Sequence, residues 1–184
     1  ARPKHLRGVN LGGWLVLEKW MTPSLFEGLE ATDETTWCAE LGEAEATRRL
    51  HQHWNTFITR EDFAWLKQAG VNAVRLPVGH WLFGKGYPYH RSYGESRYPF
   101  VEGGLAMVDQ VFTWAEEFDL RVVLDLHTAP GCQNGFDNGG ILGVCEWHTK
   151  EEYIEHTLHV LERLAERYSH HPALHGIQAL NEPR

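Results

Sequence analysis

Four short apolar runs alternating with helical segments predict an α/β chain of parallel strands, of (β/α)8 TIM-barrel type. The 184 residues supply only the first four β/α units of such a barrel, a half barrel. Two further observations favour the barrel over a doubly wound sheet. Each apolar run is followed at its C-terminal end by an elaborate loop, and the C-terminal face is where a barrel builds its site. No Gly-x-Gly-x-x-Gly follows any run, which weakens the nucleotide-binding alternative.

The first strand is read at Leu6 to Leu11, broken by Gly12-Gly13. A mixed, aromatic segment follows to Gly42, longer than a connection needs and so read as a functional loop, 11–42, after the first strand. Glu43 to Trp54 is helix-forming, and Thr59-Arg60-Glu61-Asp62 opens a second helix that runs to Gln68 and is closed by Ala69-Gly70. Val71 to Val78 is the second strand, and a loop rich in Tyr, Gly and Pro runs from Gly79 to Gly103. Leu105, Val108, Phe112 and Ala115 recur at helical spacing, with Asp119 marking the end of that helix. Arg121 to His127 is the third strand, followed by a glycine-rich loop from Thr128 to Trp147. Thr149 is read as the N-cap of a helix carrying Ile154, Leu158, Leu161, Leu164 and Ala165 on one face and ending near Tyr168. The fourth strand opens at Leu174 and ends in Asn181-Glu182-Pro183.

The totals exclude some classes. Composition is ordinary for a globular domain, at 42% hydrophobic and 23% charged residues. The net charge of −8 disfavours nucleic acid as a partner, and no run of 18 apolar residues marks a membrane span. The polar start, Ala1-Arg2-Pro3-Lys4-His5, does not read as a signal peptide. Eight Trp, six Tyr and eight Phe are enough to supply both a core and rings that stack on the C–H faces of sugars. Three cysteines allow at most one disulfide, and Cys132 and Cys145 flank the third loop so as to staple it in an oxidising compartment. The His51/His53, His156/His159 and His170/His171 pairs raise a metal alternative, but no companion ligand stands at diagnostic spacing, and no metal is assigned.

Strand periodicity sorts the polar residues. Val123, Asp125 and His127 share one face of the third strand, and Ala73, Arg75 and Pro77 share one face of the second. An inward Arg and an inward Asp on adjacent strands are each too costly to bury alone, so Arg75 is expected to pair with Asp125 and to aim upward at a catalytic carboxylate. A purely structural ion pair is the alternative. His127 ends its strand at the level where ligands bind. Phe136 stands between short polar side chains in Asn134-Gly135-Phe136-Asp137-Asn138, suiting a sugar-stacking ring. Glu182, at a strand's C-terminal end beside an amide and before a proline, suits a proton donor at a barrel mouth, although a strand ending in a polar turn would read the same.

With these residues in place, the chain resembles glycoside hydrolase family 5, and within it the fungal-type exo-β-1,3-glucanases. The resemblance is carried by RGVNLGGWLVLEKWMTPSLFE (7–27), HWNTFITREDFAWLKQAGVNAVRLPVGHW (53–81), LRVVLDLHTAPGCQNGFDNGG (120–140) and ALNEP (179–183). It implies a retaining (β/α)8 glycosidase that needs no cofactor and acts on β-1,3-glucan or related β-glucosides. Glu182 would be the general acid/base, Asn181 would bind the sugar 2-hydroxyl, and Arg75 and His127 would line the subsite where the bond is cut. Glu18 and Trp20 would hold the terminal glucose, Trp20 standing where relatives carry a Tyr. Phe136 would clamp the sugar on the leaving-group side, with Asp137 and Asn138 beside it. The loop beyond Asn138 departs from the fungal pattern, and the Cys132/Cys145 pair has no place in the resemblance. The family favours a secreted or cell-envelope location.

The resemblance also places the nucleophile, a Glu at the end of the seventh strand, outside this chain. The expectation is therefore a second polypeptide that carries the C-terminal half barrel, in preference to a homodimer, with a β-glucan oligosaccharide or polysaccharide as ligand. The alternatives are a non-catalytic glucan-binding half barrel, an inactive fragment, and a metal-dependent hydrolase.

Overall fold

The computed structural model describes residues 5–84 and 99–184. Four strands, β1 (Gly8–Asn10), β2 (Ala73–Val78), β3 (Arg121–Leu126) and β4 (Leu174–Gln178), alternate with helices α1 (Glu34–Thr56), α2 (Arg60–Gln68), α3 (Gly104–Glu117) and α4 (Glu151–Tyr168). The strands form one parallel sheet in the order β1-β2-β3-β4, so helices lie in the crossovers between neighbours. This is the half of a β/α barrel expected from the alternation of apolar runs. The reading of 79–103 as a loop falls in part on residues 85–98, and the reading of the N-terminus on residues 1–4; both stretches lie outside the described residues.

The two faces of the sheet divide the labour. Val74, Leu76, Val122, Leu124 and Leu126 are all fully buried and join one core with Phe63, Val108, Val111, Phe112, Ala115, Val160 and Leu164 of the helices. At roughly 1.5–3 kcal/mol per fully buried large aliphatic or aromatic side chain, this face is what fastens the helices to the sheet. Phe112 stacks on Tyr168 at 4.3 Å between ring centres, tying α3 to the end of α4. The opposite face is polar, and the register sets its rungs. Asn10, Arg75, Val123 and Gly176 stand level across the four strands, and Pro77, Asp125 and Gln178 form the next rung toward the C-terminal ends.

Two local features differ from the sequence reading, and a third concerns a pairing that it left open. The helix expected from Glu43 begins at Glu34, inside the stretch read as loop, and its two segments join across Gly42, which has φ 74°. Its start is a capping box: Asp33 accepts from the Thr36 N–H at 2.8 Å, and the Thr36 hydroxyl oxygen accepts from the Asp33 N–H at 3.3 Å. Asp-x-x-Thr is a less familiar signature than Ser/Thr-x-x-Glu, and the glycine disguised the continuity. α4 is capped at Lys150, not Thr149, whose hydroxyl donates instead to the Glu146 carbonyl within a 3₁₀ turn, Trp147–Thr149. All three cysteines are free thiols, so Cys132 and Cys145 are not joined.

The capping box also shapes the functional end of the sheet. Asp33 Oδ2 accepts from the Leu142 N–H at 3.1 Å, and the Thr35 hydroxyl and N–H both donate to the Gly140 carbonyl, at 2.6 and 3.2 Å. The loop after β3 is thus pinned to the N-terminus of α1.

Candidate active site

Diagonal placement on the sheet explains the central contact. Arg75 and Asp125 stand one rung apart on adjacent strands, and the long Arg side chain rises to meet Asp125 Oδ2 at 2.9 Å from Nη2. Asp125 is completely buried, so an ionised carboxylate there needs this partner. The pairing expected from strand periodicity is present; the aim of the guanidinium differs. Arg75 donates through Nε to Gln178, through Nη1 to Asn10 and through Nη2 to Asn181, each at 2.9 Å. It therefore addresses the amide beside Glu182 and not the carboxylate itself. With its Oδ1 held by Arg75, the Asn181 side chain presents its NH₂ as a donor.

From Asp125 the contacts continue across the site. His127 Nδ1 donates to the same Asp125 Oδ2 at 2.5 Å, which fixes the ring and turns Nε2 toward Glu18 Oε1 at 3.8 Å. His127 Nε2 is buried and has no hydrogen-bond partner among the described residues. Glu18 comes from the loop after β1, where Trp20 Nε1 donates to its Oε2 at 3.1 Å. Burial raises the Glu18 carboxyl above its usual range; the neighbouring His127, the Trp20 N–H and Arg75 pull it back, while Asp137 pushes it up. Glu18 is 6% exposed whereas Trp20 is 72% exposed, so a buried acceptor lies at the foot of an open aromatic plate.

On the other side, Asn138 Nδ2 donates to Glu182 Oε2 at 3.2 Å, and Asn134 Nδ2 donates to Asn138 Oδ1 at 3.0 Å and so orients it. Asp137 Oδ1 accepts from the Asn138 N–H at 3.0 Å. Phe136 is 39% exposed, and the Arg184 guanidinium lies over its ring at 4.4 Å. Glu182 itself has φ 46°, a left-handed conformation that costs a non-glycine residue about 1–2 kcal/mol and must be held by its surroundings. All nine expected residues thus join one contact network at the C-terminal end of the sheet: Glu18, Trp20, Arg75, His127, Phe136, Asp137, Asn138, Asn181 and Glu182.

The histidine pairs do not converge. His53 and His156 are buried and hydrogen-bonded to the carbonyls of Gly13 and His80, whereas His51 and His170 are exposed. The imidazoles of His53 and His156 satisfy backbone carbonyls in the interior. Among the described residues no group of three or more His, Cys, Asp or Glu is placed to hold a metal ion, and no helix is long and apolar enough to cross a membrane.

Sequence reasoning missed Asn10 and Gln178, which hold Arg75, although inward parity on β1 and β4 would have found them. It also missed Gln133, fully buried in a glycine-rich loop that gives no periodic signal.

Comparison with known proteins identifies the family and the fold. The family model described as cellulase (glycosyl hydrolase family 5) matches residues 38–184. A probable glucan 1,3-beta-glucosidase A of Emericella nidulans is 49% identical over 183 residues, covering 98% of this chain and 43% of the relative. A glucan 1,3-beta-glucosidase of Blumeria graminis is 44% identical over 185 residues, covering 98% of this chain and 41% of the relative. The crystal structure of a rutinosidase from Aspergillus niger shares the fold with a TM-score of 0.80 at 24% identity, covering 96% of this chain and 48% of that one. The chain spans a little over four-tenths of the length of the curated relatives.

Proposed function

The chain belongs to glycosyl hydrolase family 5, and on that premise we propose that it forms the N-terminal half of a retaining glycoside hydrolase acting on β-1,3-glucan or related β-glucosides. Glu182 is its general acid/base, and the nucleophilic Glu lies outside these 184 residues. The observation that carries this reading is the unbroken path of contacts from Trp20 through Glu18, His127, Asp125 and Arg75 to Asn181, which ends beside Glu182.

In the completed barrel, Glu182 protonates the glycosidic oxygen while the second carboxylate, about 5–5.5 Å away, attacks the anomeric carbon and forms a glucosyl-enzyme. Glu182, now ionised, then removes a proton from water or an acceptor sugar as the glucosyl bond breaks. The Asn181 NH₂ donates to the 2-hydroxyl of the sugar in the cleavage subsite, which Arg75 and His127 line. Glu18 and Trp20 hold the terminal glucose, and Phe136, with Asp137 and Asn138, faces the leaving-group sugar. The C-terminal half barrel completes the site, on a second polypeptide or on further chain, and the enzyme acts outside the cell or in its envelope. No cofactor is required by this chemistry.

The test is Glu182→Gln in the complete enzyme. Turnover of laminarin-type glucan should vanish while oligosaccharide binding persists; near-normal turnover would sink the assignment.

A further inference from the structure

We propose that Gln133 is a positioning residue for Glu182, an inference that rests on the reading of Glu182 as general acid/base. Gln133 is completely buried, yet it sits in an irregular loop seven residues past the end of β3. Its side-chain amide is fully used. Oε1 accepts from the Ala129 N–H at 3.1 Å, which settles the orientation of the amide, and Nε2 donates to the carbonyls of His127 at 2.8 Å and Asn181 at 2.9 Å. Both protons therefore go to backbone carbonyls of residues in the cleavage subsite. The main chain of Gln133 adds a fourth bond, its carbonyl accepting from the Arg184 N–H at 3.1 Å.

These bonds bracket Glu182. The Asn181 carbonyl before it and the Arg184 N–H after it are both held by one residue, and the Asn181 N–H is held by the Leu126 carbonyl at 3.0 Å. Pro183, between them, has no N–H of its own to offer. The plane of the Asn181–Glu182 peptide fixes the direction of the Glu182 N–Cα bond, about which φ stands at 46°. If the Asn181 carbonyl were released, that plane could turn, φ could relax to the ordinary negative range, and the carboxylate would swing away from Asn138. A small displacement of a proton donor is enough to matter, because the acid must meet the glycosidic oxygen within hydrogen-bond reach. Only a primary amide suits the place: an ionised carboxylate would face two carbonyl oxygens, and an apolar side chain would leave three buried backbone groups without partners.

The test uses the leaving group. In the complete enzyme, kcat/KM is measured for a laminari-oligosaccharide, which needs a general acid, and for 2,4-dinitrophenyl β-glucoside, whose leaving group does not. Gln133→Met should lower the first by roughly 10–100-fold and leave the second close to wild type. Gln133→Glu keeps the shape, has one proton to donate when neutral and none when ionised. Its ratio of the two constants should worsen with rising pH where the wild-type ratio is flat. Equal losses on both substrates, no loss on either, or failure of both variants to fold would overturn the proposal. Glu182→Gln is measured alongside. If it fails to discriminate between the leaving groups, the acid/base reading itself falls; if it discriminates and the Gln133 variants do not, only the positioning role falls.

Discussion

Arg75 Nη2 lies 2.9 Å from Asp125 Oδ2 although the two residues occupy different rungs of the sheet, and the same nitrogen donates to Asn181 Oδ1 at 2.9 Å. One guanidinium thus neutralises the buried carboxylate and sets the amide next to Glu182. Arg75→Met would leave the buried Asp125 with the His127 Nδ1–H as its one remaining partner among the described residues, and removing one member of a buried ion pair typically costs about 3–5 kcal/mol. Arg75→Lys keeps the charge but not the planar fork that reaches Asn10, Gln178 and Asn181 together. Urea denaturation should show the Met variant far less stable than the Lys variant, while in the complete enzyme both substitutions should abolish the proposed turnover of glucan. Equal stability of the Met variant and wild type would show that Asp125 does not depend on this pair.

Trp20 is 72% exposed, so removing its ring should weaken sugar binding without weakening the fold. In an enzyme carrying Glu182→Gln to block turnover, Trp20→Ala should lower affinity for laminari-oligosaccharides by about 0.5–1.5 kcal/mol or more, the size of an aromatic stacking contact with its buried area added. The melting temperature should hold. Unchanged affinity by titration calorimetry would remove Trp20 from the binding surface.

How much of this was legible in the sequence depended on periodicity. Strand alternation put Arg75 and Asp125 on one face before any coordinates, because a two-residue period is a property of the backbone. The motifs around Glu18, Phe136 and Asn181-Glu182 carried the rest of the site by resemblance. Loop residues have no such period, so nothing in Gly-Cys-Gln-Asn-Gly (131–135) announced that Gln133 would be buried and bonded to two strand ends. The early part of α1 escaped because Gly42 interrupts it, and the rule that glycine ends helices is statistical while the capping box at Asp33 is local hydrogen bonding. Arg75 was expected, beyond its pairing with Asp125, to aim at a catalytic carboxylate; the guanidinium instead sits among three neutral amides once Asp125 has met its charge.

Asp33 joins helix capping to the site. Asp33→Ala removes the acceptor for Thr36 at the start of α1 and for Leu142 in the loop that carries Phe136 and Asn138. Loss of the cap should cost about 0.5–2 kcal/mol. Amide exchange should quicken at Leu142 as well as at Thr36. Faster exchange confined to the helix would mean that the loop is held by Thr35 alone, through its bonds to Gly140.

Glu34, the next residue, gives the protein a pH dependence of unusual sign. Its carboxyl is 1% exposed and accepts from the Leu17 N–H at 2.7 Å. Burial pushes it up from 4.5 to about 8, with the Leu17 N–H opposing and Asp33 adding to the rise. The buried Cys38 thiol is pushed up too, by burial first and then by Glu34. Below pH 4.5 Glu34 is protonated whether the chain is folded or not, so it carries no penalty. Between 4.5 and 8 the folded state keeps a proton that the unfolded state releases, so each unit of rising pH removes up to about 1.4 kcal/mol of stability. Above 8 the loss is complete and the contribution is flat. Glu34→Gln keeps an oxygen for the Leu17 N–H and cannot ionise. Measured by urea denaturation from pH 5 to 8.5, the stability of wild type relative to this variant should fall steadily toward pH 8 and then level. Parallel curves would mean that Glu34 ionises in the folded protein as easily as in the unfolded chain, and that water reaches the base of the Leu17–Glu18 loop.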